Sequence, residues 1–144
     1  MNILVLNGPN LNLLGIRQPE IYGKTSYQEL VDMIRAEADE LGVSVSFFQS
    51  NHEGALVDAI QQAYFDGVDG IIINPAAYTH TSVALLDAVK SVMLPTVEVH
   101  ISDPDTREDF RHISYIRQAC AATIKGHGLA GYLEALHFLC DQKR

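Results

Sequence analysis

The chain has 144 residues, a net charge of −8 and an apolar fraction of 47%, enough for one domain that buries roughly 70% of its unfolded surface without disulfide or metal staples. Its ten basic residues form no run, which argues against a nucleic-acid or anionic-membrane partner, so an anionic ligand must meet positive charge gathered locally. Cys120 and Cys140 sit in apolar stretches without C-x-x-C spacing, no apolar run reaches the ~20 residues of a membrane helix, and the first strand starts at Met1 with no room for a leader; a single cytoplasmic domain over residues 1–144, with reduced core thiols, is expected.

Met1 to Leu6 reads as a buried strand. Asn7 to Gly23, N-G-P-N-L-N-L-L-G-I-R-Q-P-E-I-Y-G, is then a loop far longer than a connection requires, the kind that forms lids and binding sites. A helix starts at Thr25 or Ser26, with Ser26 and Glu29 spaced as a capping box and Leu30, Val31, Ile34, Ala38 and Leu41 on one face; Gly42 ends it. Val43, Val45 and Phe47 alternate with Ser44, Ser46 and Phe48 in a strand with one better-buried face. Ser50 and Glu53 suggest a second capping box, before a helix carrying Leu56, Val57, Ile60, Ala63 and Tyr64 and closed by Gly67. Gly70 to Asn74 is apolar on both faces, as a central strand of a parallel sheet is.

Asn74 to Thr81 forms a second polar loop, and the helix behind it turns Val83, Leu86, Val89 and Val92 inward. Pro95 opens a fourth strand, Thr96 to His100, which runs into an irregular charged connection through Arg111. Ala121 to Lys125 gives a fifth strand, and Leu129, Tyr132, Leu133, Leu136 and Cys140 share a face of the last helix. Strands alternating with helices at this spacing predict an α/β fold: a flavodoxin-like, doubly wound, five-stranded parallel sheet of order 2-1-3-4-5, with ligands bound at the strand C-termini near the switch between strands one and three.

That rule gathers Asn7, Asn10, Asn74, His80, Glu98, His100 and Ser102 at one crevice. Glu98 and His100, two apart on a strand, share a face, so the carboxylate can orient the imidazole and hold it protonated as an acid. A purely structural pair is the competing reading, but an ionisable pair in a buried strand is costly unless used. In the first loop, a tyrosine base at Tyr22 must overcome roughly 4 kcal/mol at neutral pH, and a guanidinium about 4 Å away at an effective dielectric near 20 supplies an attraction of that order. Arg17 has the charge for this; a solvated arginine and a tyrosine that packs the loop down fit the spacing equally well. Arg111 is either a carboxylate or hydroxyl clamp or a surface residue. The histidines show no H-E-x-x-H spacing and neither dinucleotide nor triphosphate loop follows the first strand, so no metal and no cofactor are expected.

Four stretches, N-G-P-N-L-N-L-L-G-I-R-Q-P-E-I-Y-G, N-P-A-A-Y-T-H-T-S, E-V-H-I-S and R-E-D-F-R, closely resemble the type II 3-dehydroquinate dehydratases in order and placement. The resemblance implies cofactor- and metal-independent dehydration of 3-dehydroquinate to 3-dehydroshikimate through an enolate, in aromatic biosynthesis or in quinate breakdown. By motif it implies Tyr22 as base assisted by Arg17, Asn10 holding a water at the enolate oxygen, and His100, oriented by Glu98, as acid. Asn74 with Ile101 and Ser102 would bind the substrate carboxylate, His80 and Arg111 ring hydroxyls, and Asp87 would reach a neighbour's site in trimers grouped into a dodecamer. The chain departs from the pattern at Leu86, often Arg, at Ile113, commonly His, and at Arg117-Gln118, usually Ser-Pro. Two rival readings fit the residues less well. A phosphoacceptor module needs acids where Asn7 and Asn74 stand, and a flavin carrier needs a hydroxyl-rich loop where Gly8-Pro9-Asn10 stands.

Overall fold

Three strands buried along nearly their whole length set the centre of the fold in the computed structural model, which describes residues 1–142; the last two residues of the expected 1–144 unit lie outside the described residues. In chain order the elements are β1 (Asn2–Asn7), α1 (Pro19–Tyr22), α2 (Tyr27–Leu41), β2 (Ser44–Gln49), α3 (Glu53–Phe65), β3 (Gly70–Asn74), α4 (Val83–Val92), β4 (Thr96–His100), β5 (Ala122–Lys125) and α5 (Ala130–Gln142). All strand pairs are parallel and the order is β2-β1-β3-β4-β5. β3 and β4 are buried along their whole length, as is β1 beyond Asn2. On β2, at the edge, half-buried residues alternate with exposed ones, in step with its sequence.

Helices cover both faces. Ile3, Val5, Ile72, Val97 and Val99 pack under α2 and α5, against Leu30, Ile34, Tyr132, Leu136 and Leu139. Leu4, Leu6, Ile71 and Ile73 pack under α3 and α4, against Leu56, Ile60, Leu85 and Val89. Each such side chain contributes about 1.5–3 kcal/mol by leaving water. Among the described residues no helix is long and apolar enough to cross a membrane.

The Ser26 cap forms as expected, its hydroxyl accepting from the Glu29 amide at 3.1 Å, and Gly42 ends α2 with φ of 71°. Ser50 does not cap α3. Its hydroxyl accepts instead from the His52 amide, and His52, the actual N-cap, contributes no side-chain bond. On α4 the true cap is Ser82, which accepts from the Leu85 amide at 2.9 Å. Val83 therefore starts the helix on its solvent side, half exposed, and Leu85 turns inward. Tyr64 is exposed, Leu139 is buried on α5, and Cys120 and Cys140 are only partly buried and form no disulfide.

The long first loop has structure of its own, a 3-10 turn at Leu11–Leu13 and the short α1, with Leu11 and Leu14 buried against the core. At the switch point it is joined to the loop after β3. The Gly8 amide donates to the Asn74 carbonyl at 2.8 Å, and a Cβ on Gly8 would stand 2.5 Å from the Pro75 carbonyl oxygen. Only glycine permits that approach.

Candidate active site

The C-terminal ends of β1, β3 and β4 open into a cleft, the position at which open α/β sheets bind their ligands. Asn10, Arg17, Tyr22, Asn74, His80, His100, Ile101, Ser102 and Arg111 all line it, together with Arg107, which the sequence reading did not single out. The lining carries Arg17, Arg107, Arg111 and two histidines but no carboxylate, so a chain with net charge −8 concentrates its positive charge in one place. An anionic, polar small molecule fits that field. Three expected residues are not in the lining: Asn7, which is fully buried, Glu98 and Asp87. Glu98 lies behind His100, and Asp87 stands on the exposed side of α4.

Glu98 is fully buried and saturated with donors. Its Oε1 accepts from His100 Nε2 at 2.7 Å and from the hydroxyls of Thr79 and Ser114, and its Oε2 accepts from Arg117 Nε at 3.0 Å and Thr123 Oγ1 at 3.0 Å. Burial alone would favour the protonated acid, but His100, Ser114 and Arg117 outweigh it and hold the carboxyl well below the usual glutamate range. Because a carboxylate only accepts, His100 donates through Nε2, which leaves Nδ1 as the nitrogen able to carry a transferable proton.

The tyrosine of the loop is held differently from expectation. Arg107 Nη1 donates to the Tyr22 hydroxyl at 2.8 Å, while Arg17 stacks on the ring with its guanidinium carbon 4.6 Å from the centroid. Arg107 also reaches Ser102 Oγ at 3.5 Å. Positive charge thus meets Tyr22 both at its oxygen and over its face. The R-E-D-F-R stretch contains both Arg107 and Arg111, and this second arginine was the available signal. Arg111 is held by Glu108 at 2.7 Å.

Asn74 is aimed by two partners. Its Oδ1 accepts from the Ala76 amide at 3.1 Å, and its Nδ2 donates to the Tyr132 hydroxyl at 2.9 Å. Tyr132 in turn donates to Asn7 Oδ1 at 2.6 Å, and Asn7 Nδ2 reaches the Tyr27 hydroxyl at 3.4 Å. Asn7 therefore serves the buried frame and Asn74 the cleft. Ala76 and Asn10 adopt left-handed backbone, φ of 53° and 69°, costly for alanine and tolerated better by asparagine. His80 Nδ1 donates to the Ile113 carbonyl at 2.7 Å, so neutral His80 offers Nε2 as an acceptor. Burial lowers its pKa; the Ile113 carbonyl opposes this, and repulsion from His100 and Arg111 adds to the lowering.

Of the departures from the family pattern, Leu86 is buried in α4 and Ile113 is exposed, lending only its carbonyl to His80. Arg117 is the one whose side chain enters the site's hydrogen bonds. Among the described residues no group of three or more histidine, cysteine or acidic side chains is placed to hold a metal.

The family profile described as Dehydroquinase class II matches residues 1–140. The 3-dehydroquinate dehydratase of Caldicellulosiruptor bescii is 56% identical over 137 residues, covering 95% of this chain and 94% of its own. The crystal structure of type II dehydroquinase from Butyrivibrio crossotus superposes with a TM-score of 0.96 at 53% identity, covering 96% of this chain and 97% of that one. That of the Propionibacterium acnes type II dehydroquinase gives 0.93 at 42%, covering 97% and 96%.

Proposed function

The chain belongs to the class II dehydroquinases, and from that premise we propose that it is a 3-dehydroquinate dehydratase in which Tyr22 is the base and His100 the acid. The observation that carries this reading is the cleft itself, where a tyrosine oxygen held by a guanidinium, a carboxylate-oriented histidine and three arginines face one space. Tyr22, as phenolate, takes a proton from the carbon beside the substrate ketone, and the electron pair moves onto the ketone oxygen as an enolate. Asn10 holds a water that donates to that oxygen. His100 then gives its Nδ1 proton to the departing hydroxyl, the C–O bond breaks, and the enolate collapses to the conjugated enone with loss of water. Tyr22 ends protonated and His100 neutral, so one proton passes between them through solvent to reset the site.

The substrate carboxylate is held by Asn74 and the Ile101-Ser102 segment, and ring hydroxyls by His80, as acceptor, and Arg111. Arg107 and Arg17 place positive charge where the phenolate forms. Asp87, on an exposed face of its own subunit, completes a neighbour's cleft in trimers grouped into a dodecamer. The whole chain acts as one catalytic domain in the cytoplasm, without metal or cofactor, in aromatic biosynthesis.

Adding 3-dehydroquinate to metal-stripped protein tests the proposal. An ultraviolet band of the conjugated enone must appear, and activity must survive chelators and borohydride; loss on borohydride treatment with substrate would mean a lysine imine instead.

A further inference from the structure

Arg117 contributes nothing to the lining of the cleft, yet its guanidinium donates to a carboxylate that has no exposure to solvent. That carboxylate serves two cations at once. One oxygen of Glu98 takes the imidazole N–H at 2.7 Å and the other takes Arg117 at 3.0 Å. The remaining donors to Glu98 are hydroxyls of Thr79, Ser114 and Thr123, which solvate an anion but cannot neutralise it. When His100 releases its proton, a buried Glu98 without Arg117 would be left as an uncompensated negative charge, the arrangement a protein interior tolerates least.

We propose that Arg117 is a positioning residue for the acid: by neutralising Glu98 whether or not His100 carries its second proton, it allows the imidazole to give that proton up. The inference rests on the reading of His100 as the acid. The two cations compete for one anion, so Arg117 weakens the grip of Glu98 on the imidazolium and makes the histidine a better donor.

The other groups around the pair do not supply this. Cys120 feels both Glu98 and Arg117, but burial, reinforced by the charge of Glu98, pushes its thiol up to about 12, so it stays neutral. His80, across the cleft, interacts electrostatically with both His100 and Glu98, but it is held toward its neutral form. Arg17, Arg107, Arg111 and Tyr22 face His100 from the cleft side and none is bonded to Glu98. Asp105 lies within the field of Arg117, but Lys125 is its main partner.

Arg117→Met keeps the length and removes the charge, and four donors remain on Glu98, so the variant retains its fold. With 3-dehydroquinate as substrate, its kcat at neutral pH falls about ten-fold while KM stays within about two-fold, and the alkaline limb of the kcat profile moves up by about one pH unit. Arg117→Lys restores most of the kcat and returns the limb. In parallel, protein labelled with 13C-histidine shows the His100 signal losing its charge at correspondingly higher pH in Arg117→Met. A limb that stays in place together with an unmoved NMR titration overturns the inference. An NMR shift without a kcat shift upholds the charge sharing and overturns His100 as the acid, so the two failures are told apart.

Discussion

Arg107, from the connection after β4, donates to the Tyr22 hydroxyl at 2.8 Å, whereas Arg17, a near neighbour of Tyr22 in sequence, lies over its ring. Tyr22, the proposed base, and the cation bonded to its oxygen thus come from parts of the chain 85 residues apart. Tyr22→Phe and Arg107→Leu should each lower kcat by roughly 10²- to 10⁴-fold, and the double variant should be little worse than either, because the two act as one unit. Strictly multiplying losses would mean that Arg107 serves something other than Tyr22. Arg17→Lys should also lose activity, since an ammonium does not replace a guanidinium stacked on a ring.

Proton removal can be watched separately from binding. With substrate deuterated at the carbon beside the ketone, Arg107→Leu should show an isotope effect on kcat that is larger than in the parent, as abstraction becomes limiting. Substrate affinity should change less than turnover, because the proposal assigns the carboxylate contacts to Asn74, Ile101 and Ser102. An unchanged isotope effect alongside a large loss of affinity would reassign Arg107 to binding.

The buried carboxylate makes the fold sensitive to acid. Glu98 has a folded-state pKa below its unfolded one, so its stabilisation is complete above the ordinary glutamate value of about 4.3 and is lost as pH falls below that toward the folded value. His80 is also lowered, by burial first, and its smaller contribution is present above about 6.5 and fades below it. Urea midpoints across pH should therefore drop in two stages in the parent. Glu98→Gln should cost about 3–5 kcal/mol near neutrality, since it leaves His100 and Arg117 without their anion, and it should flatten the lower stage. An equally steep acid limb in Glu98→Gln would place the sensitivity elsewhere.

Asp87 calls for a test between subunits. Tyr22→Phe and Asp87→Ala homo-oligomers should each be nearly inactive, and unfolding and refolding them together should recover part of the activity, because some clefts then combine an intact tyrosine with a neighbour's intact aspartate. No recovery in mixed oligomers would remove Asp87 from the neighbour's site.

The sheet was legible because β1 and β3 are apolar nearly throughout, β4 alternates valines with polar residues, and the helices between them keep a 3.6-residue stripe, signals that burial itself imposes. The helix starts were legible only where the cap lay beside the first turn, as at Ser26. Ser50 stands two residues before the actual N-cap His52, and at α4 the cap at Ser82 shifted which of Val83 and Leu85 faces inward. Most of the cleft could be read from strand ends and motifs. Arg117 could not, because it sits in an irregular connection of 3-10 turns, where no periodicity says which way a side chain points, and Arg107, in a similar connection, was marked only by its place in R-E-D-F-R. Their partners, Tyr22 and Glu98, are set by tertiary packing alone.

The hydroxyl of Tyr132 touches Asn7 and Asn74 together, bridging 125 residues to the first and 58 to the second. It belongs to α5, while the residues that it joins belong to β1 and β3, so the cleft acquires its final shape only when the C-terminal helix docks. A nascent chain that has already paired β1 with β3 still presents Asn74 without its hydroxyl partner. The last helix thus supplies, from the far end of the chain, the hydroxyl that ties together the ends of two neighbouring strands beside the cleft.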